Sequence, residues 1–203
     1  MNATAPTSSR RPTTLLPSSS TIPDETLPYG ITATAQRFVE DVSRIEAGAR
    51  GDLELLEDAM RRFIEATPVP DRSRWCDTTG RYTRVLLNRP EDPFQIIVVF
   101  WPPGARSAIH DHAATRGAVM ALFGEVAETK YRVVEGAGEE RLSLTPETDA
   151  PLVPGRFSPI VDEPGMQLHD MVNRSYGWAA TVHVYLRGIR RFNVYRAGDD
   201  GGY

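Results

Sequence analysis

From Tyr82 onward the apolar residues recur with a period of two, and this constrains the possible folds more than any other feature of the chain. The runs "YTRVLLN", "FQIIVVFW", "GAVMALF", "EVAETKYRVV", "ERLSL", "MQLHDMV", "AATVHVYL" and "RFNVY" are short and rich in β-branched or aromatic residues, and Gly, Pro, Asp and Asn separate them. Eight or so strands with no helical pattern between them predict an all-β sandwich or small barrel over residues 80–196. Upstream, Phe38, Val42 and Ile45 recur at helical spacing, as do Leu56, Met60 and Phe63. Gly48 and Gly51 punctuate this pair of amphipathic helices, and Pro68 and Pro70 stop the second. The helices, over 33–67, are expected to form a cap on the β-structure, so that residues 31–203 make one domain.

Residues 1–30 are rich in Ser, Thr and Pro and hold few large apolar groups, which predicts a disordered tail. The whole chain of 203 residues is 40% hydrophobic, enough for one soluble domain with a full core. A net charge of −4 gives no electrostatic footprint for nucleic acid or an anionic membrane. The single cysteine, Cys76, excludes an internal disulfide framework and a cysteine-based zinc site. It reads as a small buried or loop residue without chemistry. No apolar run reaches the length of a membrane span, and the paired arginines of "SSRRPTTLLPSSS" precede no hydrophobic segment, so no export signal is expected. A cytoplasmic monomer is the expectation.

Against that background, the placement of the four histidines stands out. His110 and His112 are two apart, and residues two apart on a strand point to the same side. They therefore present both imidazoles to one place, as a strand does when it offers two ligands to one metal ion. In "TVHVYL", Val182, Val184 and Leu186 form an apolar face while Thr181, His183 and Tyr185 share the other. "YTRVLL" likewise sets Tyr82 and Arg84 on one side, and His169 lies in a further strand after a Pro-Gly turn. A polar set inside an apolar barrel is costly unless a metal, a ligand or its own hydrogen bonds satisfy it. Arg84 in particular would need an anionic partner there. Glu125 and Glu128 alternate with apolar residues and read as part of a solvated strand face.

The spacing resembles the cupin metal motifs, a Gly, five residues, His-x-His, three or four residues, Glu, six residues and Gly, followed later by His, three residues and Asn. Gly104, His110-x-His112 and Gly124 match the first, with Gly117 in place of the glutamate; His169 and Asn173 match the second. Loss of the glutamate characterises the thiol dioxygenase branch, and the surrounding residues resemble cysteine dioxygenase. "YTR" at 82–84 is similar to that family's carboxylate-binding strand, "IHDH" to its first two ligands, "LHDMVNRS" to the segment carrying the third, and "TVHVY" to its Ser-x-His-x-Tyr relay. Animal members carry a cysteine at the Gly117 position that crosslinks to the tyrosine, whereas bacterial members commonly have glycine. The animal proteins also follow the tyrosine with Ser-Pro, where this chain has Leu186-Arg187.

The resemblance implies a cupin-type β-sandwich with Fe(II) held by His110, His112 and His169, and a small thiol and O2 as substrates. Cysteine would be oxidised to cysteine sulfinic acid. It further implies that Arg84, assisted by Tyr82, holds the substrate carboxylate, and that Tyr185, oriented by His183, acts on the reacting atoms. Three neutral imidazoles leave a divalent ion its full charge, which suits a substrate bringing its own thiolate. The alternatives are a 3-mercaptopropionate dioxygenase, whose subgroup has glutamine where Arg84 stands, a zinc-dependent enzyme on the same three histidines, and a non-catalytic ligand-binding cupin.

Overall fold

The computed structural model describes residues 31–47, 52–69, 80–134, 143–161 and 168–196. The tail at 1–30, the glycines between the helices, Cys76 and the Pro-Gly turn before His169 lie outside the described residues. Two helices, α1 (Ile31–Ala47) and α2 (Leu53–Ala66), precede ten strands among the described residues. Asp52 caps α2, its carboxylate accepting the N–H groups of Glu54 and Leu55. The strands are β1 (Thr83–Leu86), β2 (Gln95–Trp101), β3 (Ile109–His110), β4 (Gly117–Phe123), β5 (Val126–Val134), β6 (Ser143–Leu152), β7 (Phe157–Ile160), β8 (Leu168–Val172), β9 (Ala179–Tyr185) and β10 (Val194–Tyr195). They form two five-stranded sheets, ordered β1-β2-β9-β4-β7 and β10-β3-β8-β5-β6, with antiparallel pairing throughout. This is the cupin-type sandwich that the sequence suggests. Among the described residues no helix is long and apolar enough to cross a membrane.

The alternation on β9 sorts the core into two layers. Val182, Val184 and Leu186 face outward and join Ile96, Val98 and Met120 under the helices, where Phe38, Val42, Leu56, Met60 and Phe63 close the cluster. Phe38 and Phe63 stack at 4.5 Å between ring centroids, which ties α1 to α2 as both pack on the sheet. Each such buried side chain contributes about 1.5–3 kcal/mol. The opposite parity of β9 faces the space between the sheets, with Ile97, Val99 and Trp101 from β2 and Val126, Leu152 and Met171 from the second sheet. The helices thus cover one face of the first sheet and leave its other face to build an interior.

The alternating runs in the sequence end β6 at Leu144 and pass over β7 altogether. Both strands contain proline, Pro146 and Pro151 in β6 and Pro159 in β7, and both stand at sheet edges. A proline cannot donate to a ladder, so it reads as a strand breaker, yet an edge strand has one unpaired side and tolerates it.

Candidate functional site

β3 and β8 pair with His110 opposite His169. β3 stops at His110, so His112 stands just beyond the strand and not within it. Its ring nevertheless turns to the same place as that of His110, with centroids 5.4 Å apart. Asp111 between them turns away, its carboxylate accepting from Asn193 Nδ2 at 2.6 Å and the Tyr195 hydroxyl at 3.3 Å. The chain after His112 is left-handed at two non-glycine residues, Ala113 and Ala114, with φ of 50° and 56°, a conformation costing roughly 1–2 kcal/mol per residue. Arg187 caps that turn, its guanidinium donating to the carbonyls of Ala113 at 3.0 Å and Ala114 at 2.8 Å. The departure from Ser-Pro after the tyrosine therefore has a structural counterpart: Leu186-Arg187 fastens the end of β9 to the loop behind His112.

The three Nε2 atoms converge. That of His169 is 3.1 Å from His112 Nε2 and 3.2 Å from His110 Nε2, and the three donor atoms lie within 4.8 Å of one another. The partners behind two of the rings settle their tautomers. His169 Nδ1 lies 2.6 Å from the Glu128 carboxylate, and His110 Nδ1 lies 2.9 Å from the Ala108 carbonyl. Both acceptors require Nδ1–H, so the facing Nε2 atoms of His110 and His169 each carry a lone pair. Two lone pairs at that distance repel unless a cation lies between them. An ion bound at roughly 2.1 Å by ligands at right angles spaces its donors about 3.0 Å apart. The residues fit a metal ion.

Across the cavity, β9 supplies a hydrogen-bonded chain. Trp101 Nε1–H donates to Thr181 Oγ1 at 2.8 Å, Thr181 Oγ1 lies 2.8 Å from His183 Nε2, and His183 Nδ1 lies 3.4 Å from the Tyr185 hydroxyl. Arg84 on β1 donates to the Tyr82 hydroxyl at 3.1 Å. Its guanidinium carbon sits 5.1 Å from the Tyr82 ring centroid and 6.0 Å from that of Phe192, a cation held by aromatic faces. Arg84 has no carboxylate partner among the described residues. His110, His112 and His183 line one cavity together with Arg84, Tyr82 and Tyr185, and its other walls include Ile97, Val99, Met171, Ile189 and Phe192. His169 completes the set from behind the wall, at the metal position. All seven residues singled out in the sequence therefore meet at one place.

Glu128 corrects the sequence reading. It is buried, 4% exposed, and not on a solvated face. Its carboxylate accepts from His169 Nδ1 at 2.6 Å and from Ser158 Oγ at 2.5 Å. Strand parity could have found it: Glu125 and Glu128 are three apart and point to opposite faces, and Glu128 shares its face with Val126, which is fully buried. Glu125 alone is exposed.

Position 117 is closed to any side chain. A Cβ there would lie 1.9 Å from the Val184 carbonyl oxygen and 3.2 Å from the Tyr185 Cα. Gly117 pairs with Tyr185 across the β4–β9 ladder, so a glutamate ligand at this position would force the two strands apart.

Burial and charge set the protonation of the site. His110 is pushed down to about 3, chiefly by desolvation on burial. His183 lies well below its ordinary value, again chiefly by desolvation. Burial pushes Glu128 up, but the hydrogen bond from His169, with the Lys130 charge and the Ser158 hydrogen bond, outweighs it and leaves the carboxyl at about 2. Burial raises the Tyr185 phenol to about 12. These shifts predict an acid-labile metal-free protein. Below the ordinary histidine value of 6.5, the unfolded chain takes up protons that folded His110 and His183 refuse. Below the ordinary glutamate value of 4.5, the stabilisation from ionised Glu128 is lost progressively as pH falls through about 2. The urea midpoint of metal-free protein should therefore fall steadily from pH 7 to 4. A flat midpoint across that range would contradict the neutral state of both rings in the folded protein.

Among solved structures, the chain is similar to a sugar phosphate isomerase of the cupin superfamily from Silicibacter pomeroyi DSS-3, at 22% identity over 53% of this chain and 60% of that one, with a TM-score of 0.39. It is also similar to a protein from Thermus thermophilus, at 21% identity over 59% of this chain and 96% of that one, with a TM-score of 0.41. A cupin superfamily protein from Desulfitobacterium hafniense DCB-2 matches at 16% identity over 60% of this chain and 92% of that one, with a TM-score of 0.42. The chain thus spans about 60% of the length of the first of these. The family profile described as "Cysteine dioxygenase type I" matches residues 36–197, from within α1 to just past β10 and across every residue of the cavity. The chain belongs to the cysteine dioxygenase type I family.

Proposed function

We propose that this protein is a thiol dioxygenase that oxidises L-cysteine with O2 to cysteine sulfinic acid, using Fe(II) held by His110, His112 and His169. The observation that carries this reading is the convergence of three histidine Nε2 atoms at the wall of a largely apolar cavity that also holds Arg84, which has no carboxylate partner among the described residues. Iron, when bound there, would supply the thiolate-binding and oxygen-activating chemistry typical of non-haem sites with open positions. The overall change adds both atoms of O2 to the sulfur and releases the thiol proton.

The chain's own residues then bind and orient. Arg84 is held from one side by the Tyr82 hydroxyl and by the two aromatic faces, so its planar fork is set in advance to receive the substrate carboxylate. Tyr185 stays protonated across the physiological range and can donate its hydrogen to the reacting oxygen or sulfur atoms. Ile97, Val99, Met171 and Phe192 exclude water around them. Asp111 is engaged by Asn193 and Tyr195, and Glu128 by His169 Nδ1 and Ser158, so neither is placed to act as a general base. That favours a dioxygenase over a zinc hydrolase.

The test is oxygen uptake by iron-loaded protein against a panel of thiols, with the sulfinate product quantified. L-Cysteine should be the best substrate. Arg84→Gln should lower kcat/KM for cysteine by roughly ten- to a hundredfold, the equivalent of about 1.5–3 kcal/mol for a charge-assisted hydrogen bond, and should lower that for 3-mercaptopropionate far less. Equal losses on both thiols would show that Arg84 anchors carboxylates without choosing between them. No uptake with any thiol would refute the reading.

A further inference from the structure

We infer that Glu128 returns to the site, from behind His169, the negative charge that a carboxylate ligand at position 117 would have supplied, and that it thereby fixes the orientation of His169 and tunes the metal. This rests on the three-histidine reading above. The register of β5 against β8 pairs Glu128 with Met171 and Lys130 with His169, so Glu128 and His169 are diagonal neighbours on one face. Both oxygens of the carboxylate are used, one by His169 Nδ1–H at 2.6 Å and the other by the Ser158 hydroxyl at 2.5 Å.

A buried ionised carboxylate is expensive unless it is paired and hydrogen-bonded. The neighbouring inward position on the same strand holds Val126, and an apolar residue at 128 would pack without that cost. The charge is retained where it pulls on the Nδ1 proton and makes Nε2 a stronger donor to a metal, as carboxylates behind metal-binding imidazoles do. Position 117 cannot hold the charge, because the β9 backbone occupies the space of its Cβ. Moving the carboxylate out to Glu128 keeps a negative charge near the ion while leaving a coordination position open to substrate. Glu128 is in this sense a positioning residue and not a ligand.

Glu128→Gln keeps the shape and an oxygen facing Nδ1 but removes the charge. Metal-stripped protein titrated anaerobically with Fe(II) against a competing chelator should bind about 10–100-fold more weakly in this variant. The Fe(III)/Fe(II) midpoint potential should move positive, because the oxidised ion gains more from a nearby negative charge. A purely structural role would lower the melting temperature and leave affinity and potential at wild-type values, and that result overturns the inference. Ser158→Ala guards against a variant that fails to fold: it leaves the carboxylate but removes the hydrogen bond that draws off its charge, so the pull on the His169 Nδ1 proton strengthens and the midpoint potential should move negative. An unchanged potential in Ser158→Ala would overturn the inference as well. His169→Ala reads the underlying assignment separately. Wild-type Fe(II) affinity in His169→Ala would sink the three-histidine site itself, whereas loss there with no change in Glu128→Gln would sink only the role of Glu128.

Discussion

Alanine at His110, His112 or His169 should strip the protein of most of its iron while leaving the β-sandwich folded. Residues that merely support a metal ligand cost about 10–100-fold in affinity when replaced, so loss of a ligand itself should exceed roughly a hundredfold. Desalted protein analysed for metal would then carry little iron, and thiol-dependent oxygen uptake would fall with it. The three variants should differ in stability. His110 sits half-buried at the mouth of the cavity, and its Nδ1 contacts only a local carbonyl. His169 is 2% exposed and holds the buried Glu128 carboxylate, so His169→Ala leaves a charge with Ser158 as its remaining side-chain hydrogen-bond partner. An unsatisfied buried group of this kind costs about 1–3 kcal/mol or more, and the His169→Ala variant should melt lowest. Far-UV circular dichroism separates loss of metal from loss of fold. A triple-alanine variant retaining stoichiometric iron would show that the ion is bound elsewhere.

What the sequence made legible was whatever strand parity governs directly. The alternation in "TVHVYL" placed Thr181, His183 and Tyr185 on one face, and the structure puts them in a single hydrogen-bonded chain with the valines turned to the helices. The same rule applied to "GEVAETKY" puts Glu128 on the face of Val126. Its charge disguised it, because a glutamate beside apolar residues is ordinarily a solvated one and only tertiary partners can make it otherwise. Those partners, His169 and Ser158, are 41 and 30 residues away along the chain, and no local pattern announces them. Arg187 is similar. Its role depends on the left-handed pair at Ala113 and Ala114, which no residue type there advertises, since alanine is not a residue that seeks positive φ.

The His110-x-His112 pair was legible for a slightly different reason than the one parity gives. The strand ends at His110, and the common direction of the two rings depends on the bend that follows as well as on extended backbone. Asp111 fixes that bend by engaging Asn193 and Tyr195, and its oxygen also accepts the Ala113 N–H at 3.2 Å. The C-terminal strand β10 is thereby docked against the metal-binding segment, and the adjoining loop carries Phe192 to within 5.5 Å of the His110 ring. Motif spacing captures the ligands; the loop that aims them is held by residues from the far end of the chain.

Tyr185→Phe should lower turnover by roughly ten- to a hundredfold, the effect of losing a hydrogen bond of about 1.5–3 kcal/mol to charged reacting atoms, while iron content and folding barely change. The direction of the hydrogen-bonded chain is the reason. An indole N–H can only donate, so Thr181 accepts from Trp101 and turns its own hydrogen to His183 Nε2. His183, neutral because burial holds its pKa well below the ordinary value, then has its proton on Nδ1, facing the Tyr185 oxygen. That leaves the phenolic hydrogen of Tyr185 to point into the cavity. With its pKa raised to about 12, the phenol keeps that hydrogen across the pH range in which a thiol enzyme works. Removing it should loosen the hold on the reacting atoms, so that O2 consumed per sulfinate formed rises above one. His183→Gln should give the same defect in weaker form, because it only orients the hydroxyl. Intact mass should show Tyr185 unmodified, since Gly117 opposite it offers no thiol. A Tyr185→Phe enzyme with unchanged turnover and unchanged coupling would reduce Tyr185 to a packing residue, and would leave the chain from Trp101 to His183 without a chemical purpose.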